Sequence, residues 1–159
     1  MSEESPPEEA KRLKAFIGEW RVSGEMIEGA NRFPISGRWS FSEAINGWGV
    51  KGKMLTSIEG MGSFEEEELI GLDAVAGLIH LVSMNRITIR DHVGGWNDRG
   101  ALVTSYESEN DGELTTETIS VRFPEADRME GTVIEQVDGV TVLETELQLQ
   151  KEASTAKRG

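Results

Sequence analysis

Beyond Gly18 the apolar positions of this chain recur at every second residue, and the rhythm persists to about residue 150. In 140–150, Leu143, Leu147 and Leu149 share one face with Thr145, while Glu144, Glu146, Gln148 and Gln150 share the other. In 34–45, Ile35, Trp39, Phe41 and Ile45 fall together with Gly37 and Glu43; in 48–58, Trp48, Val50, Met54 and Ile58 fall together with Gly52 and Thr56. A period of two places alternate side chains on opposite faces of a strand. Ahead of Gly18 the spacing is helical instead, with Ala10, Leu13 and Phe16/Ile17 forming one apolar stripe. Ser5 and Glu8 have the spacing of a capping box, with Pro6 in the first turn, and Gly18 is a natural stop. So short a helix is marginal alone, so it is predicted to lie against an apolar surface.

Turn chemistry punctuates the rest: "EGAN" (28–31), "NG" (46–47), "EGMG" (59–62), "DAVAG" (73–77), "NDRG" (97–100), "NDG" (110–112), "PEAD" (124–127) and "DG" (138–139). Gly, Asn and Asp tolerate the positive φ angles of tight hairpins. Strands are predicted near 19–28, 34–45, 48–58, 64–73, 78–84, 87–96, 101–109, 113–123, 128–137 and 140–150. The lack of a second helix of normal length argues against a βαβ arrangement. The expectation is an all-β fold, an antiparallel up-and-down β-barrel of about ten strands with one short N-terminal helix. The barrel domain is placed at 10–151, with 1–9 a flexible acidic tail and helix start and 152–159 a flexible tail. About eight strands already leave room for one small ligand, so ten imply a hollow. The apolar inner faces with a few polar insertions are what a small-molecule pocket needs.

The tryptophan opening the first strand fits this picture. In "GEW" (Gly18, Glu19, Trp20) an indole points inward beneath the helix and closes the base of the barrel. A Gly-x-Trp after a short helix resembles the signature of the lipocalin-type barrels, the calycins. The segments "GLDAVAGLIHLVSMN" (71–85), "GGWNDRGALVTSYES" (94–108), "DRMEGTVIEQVDG" (127–139) and "VTVLETELQLQK" (140–151) resemble a bacterial family of lipocalin-like barrels related to the nitrobindins and the fatty-acid-binding proteins. The resemblance covers roughly residues 10–151 and implies a ten-stranded antiparallel barrel with no established activity. Many lipocalins pack a late arginine over the tryptophan; here Lys151 stands near that place, implying a weaker or absent clamp. Nitrobindins hold haem through a late histidine, and nothing after His92 is a histidine, which argues against haem; no other cofactor is expected.

Composition narrows the partners. The 159 residues carry 29 acidic and 16 basic side chains, a formal charge of −13 that repels nucleic acid and anionic membranes. The chain has no cysteine and only two histidines, which rules out disulfides, thiolate chemistry and a three-histidine metal site. No start resembling a signal peptide and no apolar run of the ~20 residues a membrane span needs is present, so a cytoplasmic protein is expected. A homodimer is compatible with the sequence.

The candidate ligand-binding residues are Trp39, Phe41, Trp48, Met54, His80, Met84, Trp96 and Tyr106. Trp39 and Trp48 lie on strands joined by the "NG" turn and would wall a pocket or fill a core. His80 is in phase with Leu78, Val82 and Met84; if that face is inward, it is a pocket histidine able to act as acid or base near neutral pH. His92, between Asp91 and Val93, reads as a loop or rim residue. Trp96 follows Gly94-Gly95, a pair that can form a bulge and re-aim side chains. "FEEEEL" (64–69) reads as an exposed strand, since charge runs usually face water; at most two of its glutamates could point inward, where they would perturb each other's pKa. Asp73, Asp91 and Asp98 are explained by turns. Neither a phosphate loop nor a Gly-x-Ser-x-Gly elbow is present. The expected function is binding of a small, largely hydrophobic molecule. The alternatives are a barrel enzyme of isomerase, cyclase or hydratase type using His80, and a haem protein.

Overall fold

The structure, a computed structural model, describes residues 4–153. The expected tails at 1–9 and 152–159 therefore lie partly outside the described residues. A one-turn helix, α1 (Glu8–Lys11), runs into a 3-10 turn (Arg12–Phe16). Ten strands follow: β1 (Gly18–Glu28), β2 (Asn31–Ala44), β3 (Gly49–Ile58), β4 (Gly62–Asp73), β5 (Leu78–Met84), β6 (Ile89–Trp96), β7 (Leu102–Asn110), β8 (Glu113–Glu125), β9 (Arg128–Val137) and β10 (Val140–Lys151). Each pairs antiparallel with its sequence neighbours, and β1 also pairs with β10, so the sheet closes on itself. Trp20 sits opposite Trp39 on one side and Lys151 on the other.

Two local expectations are corrected. Pro7, not Ser5, precedes the first helical residue, and no side chain caps the helix. Successive prolines at 6 and 7 hold the preceding residues extended, which removes Ser5 from capping reach. The expected inward Ile45 is instead exposed: it and Asn46 both adopt positive φ (48°), so the turn starts one residue early and β2 ends at Ala44.

The floor of the barrel is built from α1, the 3-10 turn and the residues beneath them. Trp20 is fully buried, and its indole N–H donates to the Phe16 carbonyl at 2.8 Å. Phe16 packs against Phe41 and Phe123 with ring centroids 5.3 and 5.0 Å apart. The Lys151 Nζ lies 5.0 Å from the Trp20 ring centre, so the clamp is present with lysine in the arginine's place. On the other side of the floor, the Trp96 indole N–H donates to the Glu9 carbonyl at 3.0 Å, and the Arg12 guanidinium lies 4.2 Å above its ring. Two indoles from distant strands thus hold the plug, and the helix needs no cap of its own to stay in place.

The β6–β7 seam has only four paired positions, from Val93–Ser105 to Trp96–Leu102. At Gly94 a Cβ would stand 1.9 Å from the Val103 carbonyl oxygen, so only glycine lets the two backbones approach there. Gly94→Ala is expected to cost about 2 kcal/mol through forced separation of this short seam. Urea unfolding measures it, and Gly95→Ala, where a Cβ meets nothing within 4 Å, is the control.

Candidate functional site

Register assigns the inner face without ambiguity. From inward Trp20, the ladder carries through Trp39, Met54 and Glu66, and a parallel row runs Phe41, Gly52, Glu68, Ser83, Arg90. The inner residues enclose a cavity of about 790 Å³. One wall is apolar: Ile35, Trp39, Phe41 and Met54 face Met129, Leu147 and Leu149, with Ile119 and Val121 beside them and Phe16 below. The Trp39 indole N–H is satisfied by the Thr56 hydroxyl at 3.0 Å, which fixes the ring against this wall. Gly52 makes room for Phe41, whose ring occupies the place a Cβ would take. The cavity opens at the end opposite α1, where Phe64, Asn85, Arg86 and Ile87 ring the mouth.

The other wall is charged. Glu66 and Glu68 on β4, Arg90 on β6 and Glu117 on β8 line the cavity. Arg90 Nη1 donates to Glu117 Oε2 at 2.8 Å, and His92 Nε2 donates to Glu117 Oε1 at 2.7 Å. Tyr106 stacks behind them, its ring centre 5.7 Å from that of His92 and 5.3 Å from the Arg90 guanidinium carbon. Burial alone would raise the Glu117 carboxyl, but the His92 hydrogen bond and the Arg90 charge outweigh it and leave its pKa below the usual value. Glu66 and Glu68 go the other way. Burial raises both, most strongly Glu68, where the neighbouring Glu66 carboxyl adds to the rise, and the Glu117 charge pushes both further up. The Asn85 side chain opposes the rise at Glu66. One wall therefore holds an anchored carboxylate and, beside it, an acid pair that resists ionisation.

Of the eight expected ligand-binding residues, Trp39, Phe41 and Met54 line the cavity. Tyr106 faces inward but stands behind Arg90 and His92. Trp48 belongs to the turn ahead of β3 and does not reach the cavity, and Trp96 holds the N-terminal plug. His80 and Met84 are corrected: both are on the outer face, because Ile79, Leu81 and Ser83 take the inner positions of β5. There the His80 Nδ1–H donates to the Asp91 carboxylate at 2.9 Å. Asp91, read as a turn residue, is thus a mid-strand partner on β6. His92, expected at the rim, is 1% exposed and points inward. Its Nδ1 is buried without a hydrogen-bond partner among the described residues. The glutamate run is corrected as well: β4 is an interior member of a closed sheet, so Glu66 and Glu68 face the cavity and only the alternate residues face water.

Among the described residues no group of three or more His, Asp or Glu is arranged to hold a metal ion. Among the described residues no histidine lines the cavity, and the Nε2 of His92 is engaged by Glu117. No helix among the described residues is long and apolar enough to cross a membrane.

The barrel is calycin-like, as its structural neighbours show. The chain is similar to Rv2717c from M. tuberculosis (TM-score 0.67, 11% identity, covering 94% of this chain and 100% of that one). It is similar to the S-type phycobiliprotein lyase CPES from Guillardia theta (TM-score 0.62, 10% identity, covering 94% and 100%). A third neighbour is EF1p2_mFAP2b bound to DFHBI (TM-score 0.50, 9% identity, covering 91% and 99%). At such identities the likeness is one of fold. No protein-family model matches the chain, and no curated protein sequence matches it.

Proposed function

We propose that the protein binds a small, largely hydrophobic molecule inside the barrel. The observation that carries this reading is the cavity of about 790 Å³ with an aromatic and aliphatic wall, a size within the range of drug-sized ligand sites. That a barrel of similar fold was solved bound to DFHBI supports it. A ligand would lie with its apolar body between Trp39, Phe41 and Leu149 and its polar end toward Glu66, Glu68 and Glu117. The enzyme alternative finds no support in His80, which faces away from the cavity. The reading includes no haem and no nucleic acid. A cytoplasmic location and self-association stand beside it as proposals.

The test is Nile red binding by fluorescence, with organic extraction of the purified protein and mass spectrometry of the extract. Gly131 lines the cavity, and a Cβ there would meet nothing nearer than the Leu147 side chain at 3.8 Å, so Gly131→Phe is chosen to fill the hollow. The variant is expected to lose binding by about tenfold or more while keeping or raising its melting temperature. Equal dye affinity in wild type and variant would overturn the reading.

A further inference from the structure

We infer that the polar end of the cavity is built for a protonated nitrogen, so that the ligand is an amphipathic cation: an apolar body carrying an amine. This rests on the binding reading above. The interior charges do not balance. Arg90 spends its ion pair on Glu117 at 2.8 Å, and His92 Nε2 is hydrogen-bonded to the same carboxylate at 2.7 Å. Glu66 and Glu68 have no ion pair among the described residues. They sit two residues apart on the inner face of β4, and Glu68, lining the cavity, is only 9% exposed. Its neighbour on the same face of β4 is Glu66, a second acid, so the two supply each other no positive charge.

Among the described residues no side chain around the pair closes an ion pair with it. On β3 the neighbours are Gly52 and Met54, on β5 Leu81 and Ser83, and Asn85 is a neutral amide. The other charged or titratable groups facing the cavity are Arg86 at its mouth, Arg90 and His92 on β6, Tyr106 on β7, Glu117 on β8 and Glu135 on β9, opposite Glu117, and none of them forms an ion pair with Glu66 or Glu68. A buried acid pair is costly, and hydrophobic residues of that size would pack the same wall at no such cost. What the pair faces is the cavity, so the missing partner belongs to the ligand.

The chemistry selects among ligands. A carboxylate would meet two acids and an arginine already paired. A hydroxyl or carbonyl would leave the pair's charge unanswered. A hard divalent cation wants six or more oxygens, which this wall does not supply. An ammonium donates up to three hydrogen bonds to carboxylates, and its binding displaces the proton the pair retains. Affinity for an amine should therefore tighten as pH rises.

The experiment displaces Nile red from the full chain with dodecylamine, dodecanol and dodecanoate, below their micellar concentrations, at about pH 5 and about pH 8, where the amine stays protonated. Dodecylamine is expected to compete about tenfold better than the other two at the higher pH, and less so at the lower. A Glu66→Gln/Glu68→Gln double variant should lose that preference while still binding dodecanol, which also shows that it is folded. Equal or better competition by dodecanoate or dodecanol, or an amine preference that survives in the double variant, would overturn the inference and leave the binding reading intact. Absence of dye binding in the wild type would overturn both.

Discussion

Trp20→Ala is expected to lower the unfolding free energy by about 3–5 kcal/mol, the cost of emptying a fully buried aromatic site. Three things go with the indole: the packing against Phe123, the hydrogen bond to the Phe16 carbonyl, and the surface on which Lys151 rests. In a domain of this size the melting temperature should fall by roughly 10 °C. Trp20→Phe keeps most of the volume but leaves the Phe16 carbonyl without its donor, so about a third of the loss is expected. Paired urea titrations measure both. A change under about 1 kcal/mol for the alanine variant would mean that the floor does not depend on this side chain.

Glu117→Leu is expected to cost about 3 kcal/mol at neutral pH, because it removes the carboxylate that pairs with the Arg90 guanidinium and leaves the buried His92 Nε2 without its hydrogen-bond partner. The pH dependence separates this carboxylate from the acid pair beside it. Glu117 has a folded-state pKa below its unfolded value, so its contribution is complete above the unfolded pKa and is lost as pH falls through the folded one. Glu66 and Glu68 have folded-state pKa values above their unfolded ones. Their contribution is complete at acid pH and is lost as pH rises through the folded values. Wild type should thus weaken on acidification through Glu117. The double glutamine variant should be more stable than wild type at neutral and alkaline pH, with the gain vanishing in acid. Urea midpoints across the pH range check both signs. A gain that grows on acidification would contradict the assignment.

The sequence carried the strands better than it carried their faces. Turn residues such as Asp138-Gly139 and Asp111-Gly112 must adopt positive φ, so hairpin positions are written in residue type, and strand limits fell close to those observed. Which face turns inward is set by register across the whole ring. In β5 both faces are apolar: Leu78, Val82 and Met84 flank His80 on one side, while Ile79 and Leu81 occupy the other. Alternation within that strand cannot choose between them, and the wrong choice exchanges His80 for the interior. The signal for the charged wall was present but outweighed by the habit of charge runs. Glu66 and Glu68 are in phase with Ile70, which is fully buried, and Glu117 is in phase with Ile119 and Val121. Reading each acid against the apolar residues of its own face, rather than as a run, points to the same three glutamates. The Arg90–Glu117–His92 cluster joins β6 to β8 across β7, a pairing that no local pattern encodes.

Closure of the ring through β1 and β10 joins the first strand to the last, so the bonds from Trp20 to Lys151 form between segments far apart in the chain. During synthesis the nascent polypeptide therefore exposes two unpaired edges until residue 151 has cleared the ribosome, and no compartment exists before then. Such long-range topology folds on the millisecond-to-second scale. Within that interval its strong negative charge opposes edge-to-edge association, and a cargo molecule can be captured only afterwards.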